Sequence, residues 1–403
     1  MHATSPTLQR RVVLLLAAAV FLNYFDRGAL SIAAPLLQGE LALTPAQLGI
    51  LFSAFFWSYA PMQPLAGWLA QRVDVRIVLG SGLALWGLAT LLTGFANGFW
   101  MLLALRVLLG IGESVFYPCN HRFLGAHITV AERGRANGIV ATGQALGPLV
   151  GTLGGGLLMA EHGWRPAFLL FGALSLAWLW PWHVVTRGGL TAVRGGGDAP
   201  VSWSRLLSER SLWGTSLGHF CGNYAYYFML TWLPLLLVRE HGLDMARMAM
   251  VGAGVYALQA VAAPSTGWLC DRLVARGHDV DRVLKGIMNF GLCGAAAAMA
   301  GCAFAGPETT IGLILVAGIF FGMQSAPLGA ISQTIGGVRA AGQWMGVQNF
   351  CANFAGVLAP LITGFVVERT GQFLWAFAIA AAVTLVGVIA FGVVVRRVAP
   401  AQW

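Results

Sequence analysis

Charged side chains are scarce in this sequence of 403 residues. Asp, Glu, Lys and Arg together make up 10% of it, apolar residues make up 58%, and the mean hydropathy is +0.73. Soluble domains carry about 25% charged residues, so this scarcity excludes a soluble globular protein. We therefore expect an integral membrane protein surrounded mainly by the lipid bilayer.

Several signatures of other protein classes are missing. The one lysine is Lys285, so there is no GxxxxGK[ST] phosphate loop, which excludes an ATP-driven pump. We expect neither an enzyme nor a cofactor. The six cysteines are scattered without a CxxC pair, so we expect no metal site and no disulfide framework. The net charge of +9 is spread over short segments and forms no basic stripe, which argues against a nucleic-acid partner.

Long apolar runs dominate what is present. A membrane-spanning helix needs about 20 apolar residues, and runs of that kind predict an all-α protein with twelve transmembrane helices. Their approximate limits are residues 12–36, 47–70, 77–96, 101–120, 137–159, 166–186, 212–237, 247–268, 286–305, 311–332, 343–366 and 373–395.

The Lys and Arg residues outside these runs predict the orientation. If both termini are cytoplasmic, the inner segments hold eighteen Lys and Arg and the outer segments hold four. An excess of this kind on the cytoplasmic side is the rule for membrane proteins. We expect a multi-pass protein of a bacterial-type inner membrane, with both termini in the cytoplasm.

An internal repeat divides the chain into two halves. Residues 64–72, Pro-Leu-Ala-Gly-Trp-Leu-Ala-Gln-Arg, recur as residues 264–272, Pro-Ser-Thr-Gly-Trp-Leu-Cys-Asp-Arg. Both copies follow the second apolar run of their half, which indicates a duplication with pseudo-two-fold symmetry. The prediction is a six-helix half at 1–186, a flexible cytoplasmic linker at 187–211 and a six-helix half at 212–403, with a substrate cavity between the halves.

Four charged residues lie in the interior of the apolar runs, away from their ends: Asp26, Arg27, Arg106 and Glu113. A charge at the bilayer centre costs about 2.5 to 3.5 kcal/mol, so such residues usually face a bundle interior or a wet cavity and serve a function. Arg106 and Glu113 are seven residues apart and share one helix face. These four residues are the functional candidates.

Several motifs together resemble the major facilitator superfamily, and within it the anion:cation symporter family of sugar-acid, hexuronate and organic-anion importers. The resemblance covers nearly the whole chain and implies a fold of two six-helix halves that works by alternating access. It rests on the segments Asn23–Arg27, Phe52–Tyr59, Arg106–Glu113, Glu132–Arg135, Gly163–Arg165, Leu230–Pro234 and Asn349–Asn353.

The resemblance also implies roles for individual residues. Similar proteins bind coupling protons at the positions of Asp26 and Glu113. The implied substrate site consists of Tyr24, Arg27, Tyr59, Gln144 and Asn349, with support from Arg106, Tyr227, Asn353 and Ser325. The implied gating loops contain Gly67, Arg72, Asp74 and Arg76 in one half and Gly267, Asp271, Arg272 and Arg276 in the other.

The sequence departs from the family pattern at two places. Gln71 and Asp74 stand where the superfamily has Asp and Gly, so we expect the gating salt bridge to use Asp74 or to be weaker. Leu328 stands where sugar-acid importers of this type can carry Trp, which favours a bulkier or more apolar acid over a sugar acid.

The same residues also have structural interpretations. Asp26 and Arg27 can form a structural ion pair, although buried pairs stabilise poorly because desolvation offsets their attraction. Arg106 can merely orient Glu113 or bond a helix carbonyl. His219 can be a structural histidine because no carboxylate shares its apolar run, the tyrosines can be interfacial aromatics, and the amide side chains can hydrogen-bond between helices.

Three functions remain open. The first is a proton-coupled symporter that imports an organic anion, such as a sugar acid or an aromatic acid, as a monomer. The second is a lipid or drug exporter of the same superfamily, and the third is a transport-dead membrane sensor or a membrane enzyme. The direction and substrate of uptake separate the first two, and the importance of Asp26 and Glu113 for flux separates the third.

Overall fold

The computed structural model describes residues 6–128, 130–187 and 201–401. Within these residues the chain forms fourteen α-helices and a π-helical turn at Ala390–Val394, and it forms no strand. The helices are α1 (Pro6–Leu41), α2 (Pro45–Arg72), α3 (Val75–Thr93), α4 (Phe99–Glu113), α5 (Phe116–His127), α6 (Val130–His162), α7 (Trp164–Ala177), α8 (Leu179–Thr186), α9 (Trp203–Leu207), α10 (Arg210–Arg239), α11 (Met245–Ala275), α12 (Val280–Phe304), α13 (Pro307–Thr370) and α14 (Leu374–Ile389).

The twelve predicted apolar runs all fall on helices. In the described part of the chain, nine helical segments are long and apolar enough to cross a membrane. Two of them join shorter helices, since α4 and α5 form the segment Phe99–His127 and α7 and α8 form Trp164–Thr186. The other three predicted runs lie in α2, α6 and α10, which are 28, 33 and 30 residues long.

Helix α13 contains two of the predicted membrane-spanning runs. The predicted runs 311–332 and 343–366 leave residues 333–342 between them, yet the backbone stays helical from Pro307 to Thr370 except at Gly337. Gly337 has a φ of 59°, which glycine adopts without strain. A Cβ atom at the preceding Gly336 would lie 2.8 Å from the Cα atom of Ala341, so the turn is too tight for a side chain there.

The described chain divides into two compact units. The first unit contains α1–α8 and Leu237–Ala253, and within it α1 packs on α6, α2 on α4 and α3 on α7. In the second unit, α12 packs against α13 and α14.

The predicted linker at 187–211 is only partly described, since residues 188–200 lie outside the described ranges. Its later part is packed: Val201 and Leu206 are buried in the hydrophobic cluster of the second unit, and Trp203–Leu207 forms α9. Flexibility therefore stays a prediction for residues 188–200 alone.

Glycines of α6 allow it to approach α1 closely. A Cβ atom at Gly147 would lie 2.7 Å from the backbone oxygen of Phe21 and 2.8 Å from the Cβ atom of Tyr24. A Cβ atom at Gly151 would lie 3.1 Å from the ring of Phe25. Because these positions lack side chains, the polar side chains beside them on the two helices come within hydrogen-bonding distance.

The far end of α1 is fixed to α7 by a polar contact. Arg165 donates through Nε and Nη2 to Glu40 Oε1, at 3.1 and 2.8 Å, and through Nη1 to the backbone oxygen of Gly94 at 3.2 Å. Trp164 donates to the other carboxylate oxygen of Glu40. This two-donor geometry holds the end of α1 in a defined position.

Candidate functional site

Arg27 and Glu113 form an ion pair inside the first unit. The Glu113 side chain has no exposed surface and the Arg27 side chain is 6% exposed. Arg27 donates through Nη2 and Nε to Glu113 Oε2, at 2.8 and 3.1 Å. Nη2 also donates to Asn23 Oδ1 at 3.1 Å. Asn23 lies one helical turn before Arg27 on α1, so it helps to fix the orientation of the guanidinium group.

Three aromatic rings surround the Arg27 guanidinium. Its central carbon lies 4.8 Å from the ring centre of Tyr24, 4.8 Å from that of Phe55 and 4.7 Å from that of Tyr59. Phe55 and Tyr59 lie one turn apart on α2 and stack on each other. Rings at this distance attract a cation, and they attract it more strongly where water is excluded. The cage therefore stabilises a charged arginine inside the helix bundle.

Tyr24 belongs to a chain of hydrogen bonds beside the ion pair. Its hydroxyl lies 3.1 Å from the hydroxyl of Tyr117 on α5. Gln144 Nε2 on α6 donates to the same Tyr24 hydroxyl at 3.1 Å. The close packing at Gly147 brings α6 near enough for this contact. Arg27, Tyr24, Tyr59 and Gln144 thus lie together, although they come from three different helices, α1, α2 and α6.

Asp26 is separated from this cluster despite being next to Arg27 in the sequence. Adjacent residues point about 100° apart on a helix. The Asp26 carboxyl group is 1% exposed and accepts a hydrogen bond from Ser175 of α7 at 2.7 Å. The Arg27 side chain points toward Glu113 instead, so Asp26 and Arg27 do not form an ion pair.

Arg106 connects α4 to α2. Its Nε donates to the backbone oxygen of Leu51 at 3.3 Å, and its guanidinium lies 5.4 Å from the ring centre of Phe55. Ser58 of α2 donates to the backbone oxygen of Val107 at 2.7 Å, which adds a second link between the same helices. The bond from Arg106 to a helix carbonyl is one of the structural interpretations raised for this residue.

The candidates of the second half lie in the second unit. Tyr227 donates to Asn353 Oδ1 at 3.3 Å, and Asn353 Nδ2 donates to the backbone oxygen of Asn349 at 2.9 Å. The Asn349 side chain is on an exposed face of α13. Ser325, also exposed, donates to the Gly322 oxygen at 3.0 Å.

A second polar network lies deeper in the same unit. Ser332 donates to Gln348 Oε1 at 2.6 Å, and Gln348 Nε2 lies 3.4 Å from His219 Nδ1. Both Ser332 and Gln348 are fully buried. His219 thus joins a network of uncharged groups, which matches its structural interpretation.

The two copies of the repeated motif adopt the same local geometry. Arg72 lies 4.6 Å from the ring centre of Trp68, and Arg272 lies 4.9 Å from that of Trp268. Each arginine follows its tryptophan by four residues, which places the two side chains on one helix face. Gly67 and Gly267 precede these tryptophans, and a Cβ atom would fit at both positions.

The remaining gating candidates lie at helix ends. Asp74 Oδ1 accepts the backbone N–H of Arg76 at 2.8 Å and so caps α3. Arg76 Nη1 donates to the backbone oxygen of Arg187 at 3.4 Å. Asp271 and Arg276 are exposed near the end of α11. Capping gives Asp74 a clear local role, whereas a gating salt bridge at Asp74 stays a prediction.

One segment matches a hydrolase motif by sequence alone. Gly214-Thr-Ser216-Leu-Gly218 fits the GxSxG pattern. In hydrolases the serine of this pattern lies on a sharp turn between a strand and a helix. Here the segment lies inside α10, and Ser216 is 2% exposed. The segment is therefore no nucleophile elbow.

Several residues of the site were not assigned from the sequence. Asn23, Phe55, Tyr117 and Ser175 all contact an intramembrane charge or a tyrosine of the cluster. Asn23 and Phe55 lie inside motifs that the family resemblance already used. Tyr117 follows Glu113 by four residues, so helix periodicity placed it on the same face. Ser175 carried no signal, since serines are common in membrane helices.

Comparisons with known proteins agree on one family. The sequence pattern of the Major Facilitator Superfamily matches residues 16–337. A probable sulfoacetate transporter of Cupriavidus necator is 33% identical over 92% of this chain and 90% of its own length. The hexuronate transporter of Bacillus subtilis is 27% identical over 96% of this chain and 94% of its own. A probable L-galactonate transporter of Escherichia coli is 29% identical over 97% of this chain and 90% of its own length.

A solved structure has the same fold. The crystal structure of a bacterial homologue of the human lysosomal transporter Spinster, in an inward-facing and unoccupied conformation, matches with a TM-score of 0.78. It is 20% identical, and the match covers 97% of this chain and 96% of that one. At this identity the similarity concerns the fold alone.

Proposed function

The chain belongs to the major facilitator superfamily, whose members are transporters and not enzymes, and on this premise we propose that it imports a small organic anion together with protons. The observation that carries the proposal is the buried ion pair of Arg27 with Glu113 inside an aromatic cage. A guanidinium group presents planar pairs of donors that fit a carboxylate or sulfonate. Arg27 is therefore the anion-binding residue of the proposal.

Glu113 occupies the donors that such an anion needs. Two nitrogens of Arg27 already point at Glu113 Oε2. A proton on Glu113 removes its charge and leaves Arg27 available to the substrate anion. Breaking a buried ion pair without replacement costs about 3 to 5 kcal/mol. Substrate binding and protonation of Glu113 therefore favour each other, which is the requirement for symport.

The substrate class follows from the donors and from the relatives. The similar transporters are named for sulfoacetate, hexuronate and L-galactonate, which are small organic acids. We propose that Arg27 binds the acid group and that Tyr24, Tyr59 and Gln144 bind its polar substituents. From the family resemblance we also propose that Asn349 of the second unit binds substrate, with Tyr227 and Asn353 as supporting residues. A ligand panel of aromatic carboxylates, sugar acids and short sulfonates, read by thermal stabilisation, identifies the class.

We further propose that the protein is a monomer of the bacterial inner membrane, with both termini in the cytoplasm. The distribution of eighteen inner against four outer Lys and Arg supports this orientation. In the proposed cycle, the two halves alternate access to the site, and the segments at residues 72–76 and 272–276 act as gates. Labelling of single engineered cysteines at residues 162 and 278 in intact cells tests the orientation, because only the first should be reached from outside.

Glu113→Gln tests the coupling. Glutamine keeps the shape of the side chain but cannot bind and release a proton, so we expect substrate exchange to continue and accumulation driven by a proton gradient to stop. Both are measured with a radiolabelled acid in proteoliposomes. Glu161→Gln is the matched control, because Glu161 is an exposed carboxylate of the same unit with 77% of its side chain accessible. Accumulation against a gradient by the Glu113→Gln variant would overturn the proposal.

The same assay separates import from export. A lipid or drug exporter needs no arginine facing an anion, and its substrates do not compete with organic acids. Uptake of an acid into vesicles of known orientation, driven by an inward proton gradient, supports import. Extrusion of a lipid-soluble cation with no response to any acid of the panel would favour the exporter.

A further inference from the structure

Asp26 lies in a small polar site of its own between α1, α3 and α7. Ser175 Oγ donates to Asp26 Oδ2 at 2.7 Å, and Ser175 is fully buried. Thr90 of α3, which is 3% exposed, also lies at this carboxyl group. The three residues come from helices that the sequence separates widely. The site is distinct from the Arg27–Glu113 ion pair, although both use α1.

Two atoms of this site lack a hydrogen bond of regular geometry. Among the described residues, Asp26 Oδ1 and Thr90 Oγ1 are buried without such a bond, although the Thr90 hydroxyl is close enough to interact with the Asp26 carboxyl group. A buried polar atom without a partner is costly, so it needs an explanation. The groups facing the carboxyl are the hydroxyls of Ser175 and Thr90 and, through its charge, Glu113 of α4. Glu113 is a like charge and does not stabilise a carboxylate.

We infer that Ser175 and Thr90 are positioning residues that allow Asp26 to release and rebind a coupling proton while it stays buried. In the protonated state the proton is on Asp26 Oδ1 and is donated to Thr90 Oγ1, while Ser175 donates to Oδ2. The hydrogen of Thr90 then turns to a helix carbonyl, as that of Thr93 does toward Ala89 at 2.8 Å. When the proton leaves, both hydroxyls donate to the carboxylate. The inference rests on the proposed proton coupling.

Hydroxyl groups suit this role because they can donate or accept. An arginine in their place would favour the charged form of Asp26, and protonation would then have to break an ion pair. With only hydroxyls, the carboxyl group can change its charge without leaving an unpaired cation behind. The Arg27–Glu113 pair differs in this respect, because a proton that binds Glu113 breaks its ion pair with Arg27.

The pH profile of transport tests the inference. Ser175→Ala and Thr90→Val each remove one donor to the carboxylate and keep the side-chain volume nearly unchanged. We expect the pH of half-maximal uptake to rise by about one pH unit in each, the value of one hydrogen bond to a charged group. Thr90→Ser keeps the hydroxyl and should restore the wild-type midpoint. Thr93→Val is the control, since it removes a buried hydroxyl of the same helix that faces a carbonyl.

Each outcome has a defined meaning. A purely structural role would lower the yield or the maximal rate of the variants and leave the pH midpoint in place, which would overturn the inference. An equal shift in Thr93→Val would overturn it as well. Asp26→Asn separates this result from a failure of the proposed function. If that variant keeps the wild-type pH profile, Asp26 binds no coupling proton, and both the coupling role of Asp26 and the inference fail. A flattened profile in Asp26→Asn with unshifted hydroxyl variants rejects the inference alone.

Discussion

Arg27 combines a charge, a planar set of donors and an aromatic cage. Lysine keeps the charge but loses the two-donor geometry toward a carboxylate. We expect Arg27→Lys to bind substrate about 10- to 100-fold more weakly, because one hydrogen bond to a charged group contributes about 1.5 to 3 kcal/mol and about 1.4 kcal/mol is a factor of ten. Isothermal titration with the purified protein measures the affinity.

Arg165→Lys is the matched control for this variant. Arg165 also uses two nitrogens on one carboxylate, but its partner is Glu40 at the end of α1. Loss of that contact should lower thermal stability and leave substrate affinity unchanged. Equal affinity in Arg27→Lys and the wild type would mean that Arg27 acts as a point charge.

The charged residues of the site could be found from the sequence, but their partners could not. The cost of a charge in lipid singled out Asp26, Arg27, Arg106 and Glu113. Adjacency then suggested that Asp26 pairs with Arg27, whereas helix geometry turns the two side chains apart. The actual partner of Arg27 is 86 residues away. Such a pairing depends on how helices pack, and a single sequence does not contain that information.

The packing of α6 on α1 offers a test at the level of helices. A methyl group at Gly147 would press on Phe21 and Tyr24, so we expect Gly147→Ala to destabilise the protein by about 1 to 3 kcal/mol, the usual cost of overpacking. It should also weaken substrate binding, because Tyr24 touches the Arg27 cage. Thermal unfolding in detergent and ligand titration measure the two effects.

Gly154→Ala provides the comparison on the same helix. A Cβ atom at Gly154 would meet no atom within 4 Å, and alanine favours a helix over glycine by about 1 kcal/mol. This variant should be as stable as the wild type or more stable. If Gly147→Ala behaves in the same way, the close approach of α1 and α6 does not position Tyr24.

The positions of the helices were easier to predict from the sequence than the positions of the breaks and turns between them. Apolar length alone located every run because lipid requires about 20 residues to cross. The break between α4 and α5 falls immediately after Glu113, at Ser114 and Val115, and neither of these two residues is a proline or a glycine that would predict it. The turn at Gly337 could not be predicted either, because the sequence contains many other glycines and nothing in it distinguishes Gly336 and Gly337 from them. Kinks of this kind depend on local packing more than on composition.

At the scale of the whole molecule, the internal repeat is visible in the geometry of both units. Trp68–Arg72 and Trp268–Arg272 stack at nearly the same distance. The all-α membrane fold expected from the sequence is confirmed by the family match and by the solved structure of the same fold. The intramembrane charges, however, lie only in the first unit. Two units that share a repeated motif therefore differ in their buried charges, and the proposed proton chemistry belongs to the first unit.

This asymmetry leads to a prediction about how transport uses energy. A monovalent acid that enters with one proton moves no net charge, whereas each additional proton adds about 2.3 kcal/mol per 100 mV of membrane potential. Asp26 and Glu113 occupy separate sites with different partners, so each can hold a proton of its own. We therefore expect import of a monovalent acid to be electrogenic, with more than one proton per substrate.

Proteoliposomes with an imposed potential measure this property. Uptake of a monovalent acid should rise when the inside is made negative with potassium and valinomycin at constant pH. The Asp26→Asn variant removes one proton site and should make uptake independent of the potential, while the pH gradient still drives it through Glu113. Equal uptake by the wild type with and without the potential would leave coupling to a single proton. In that case Asp26 is a structural residue that joins α1 to α7 through Ser175.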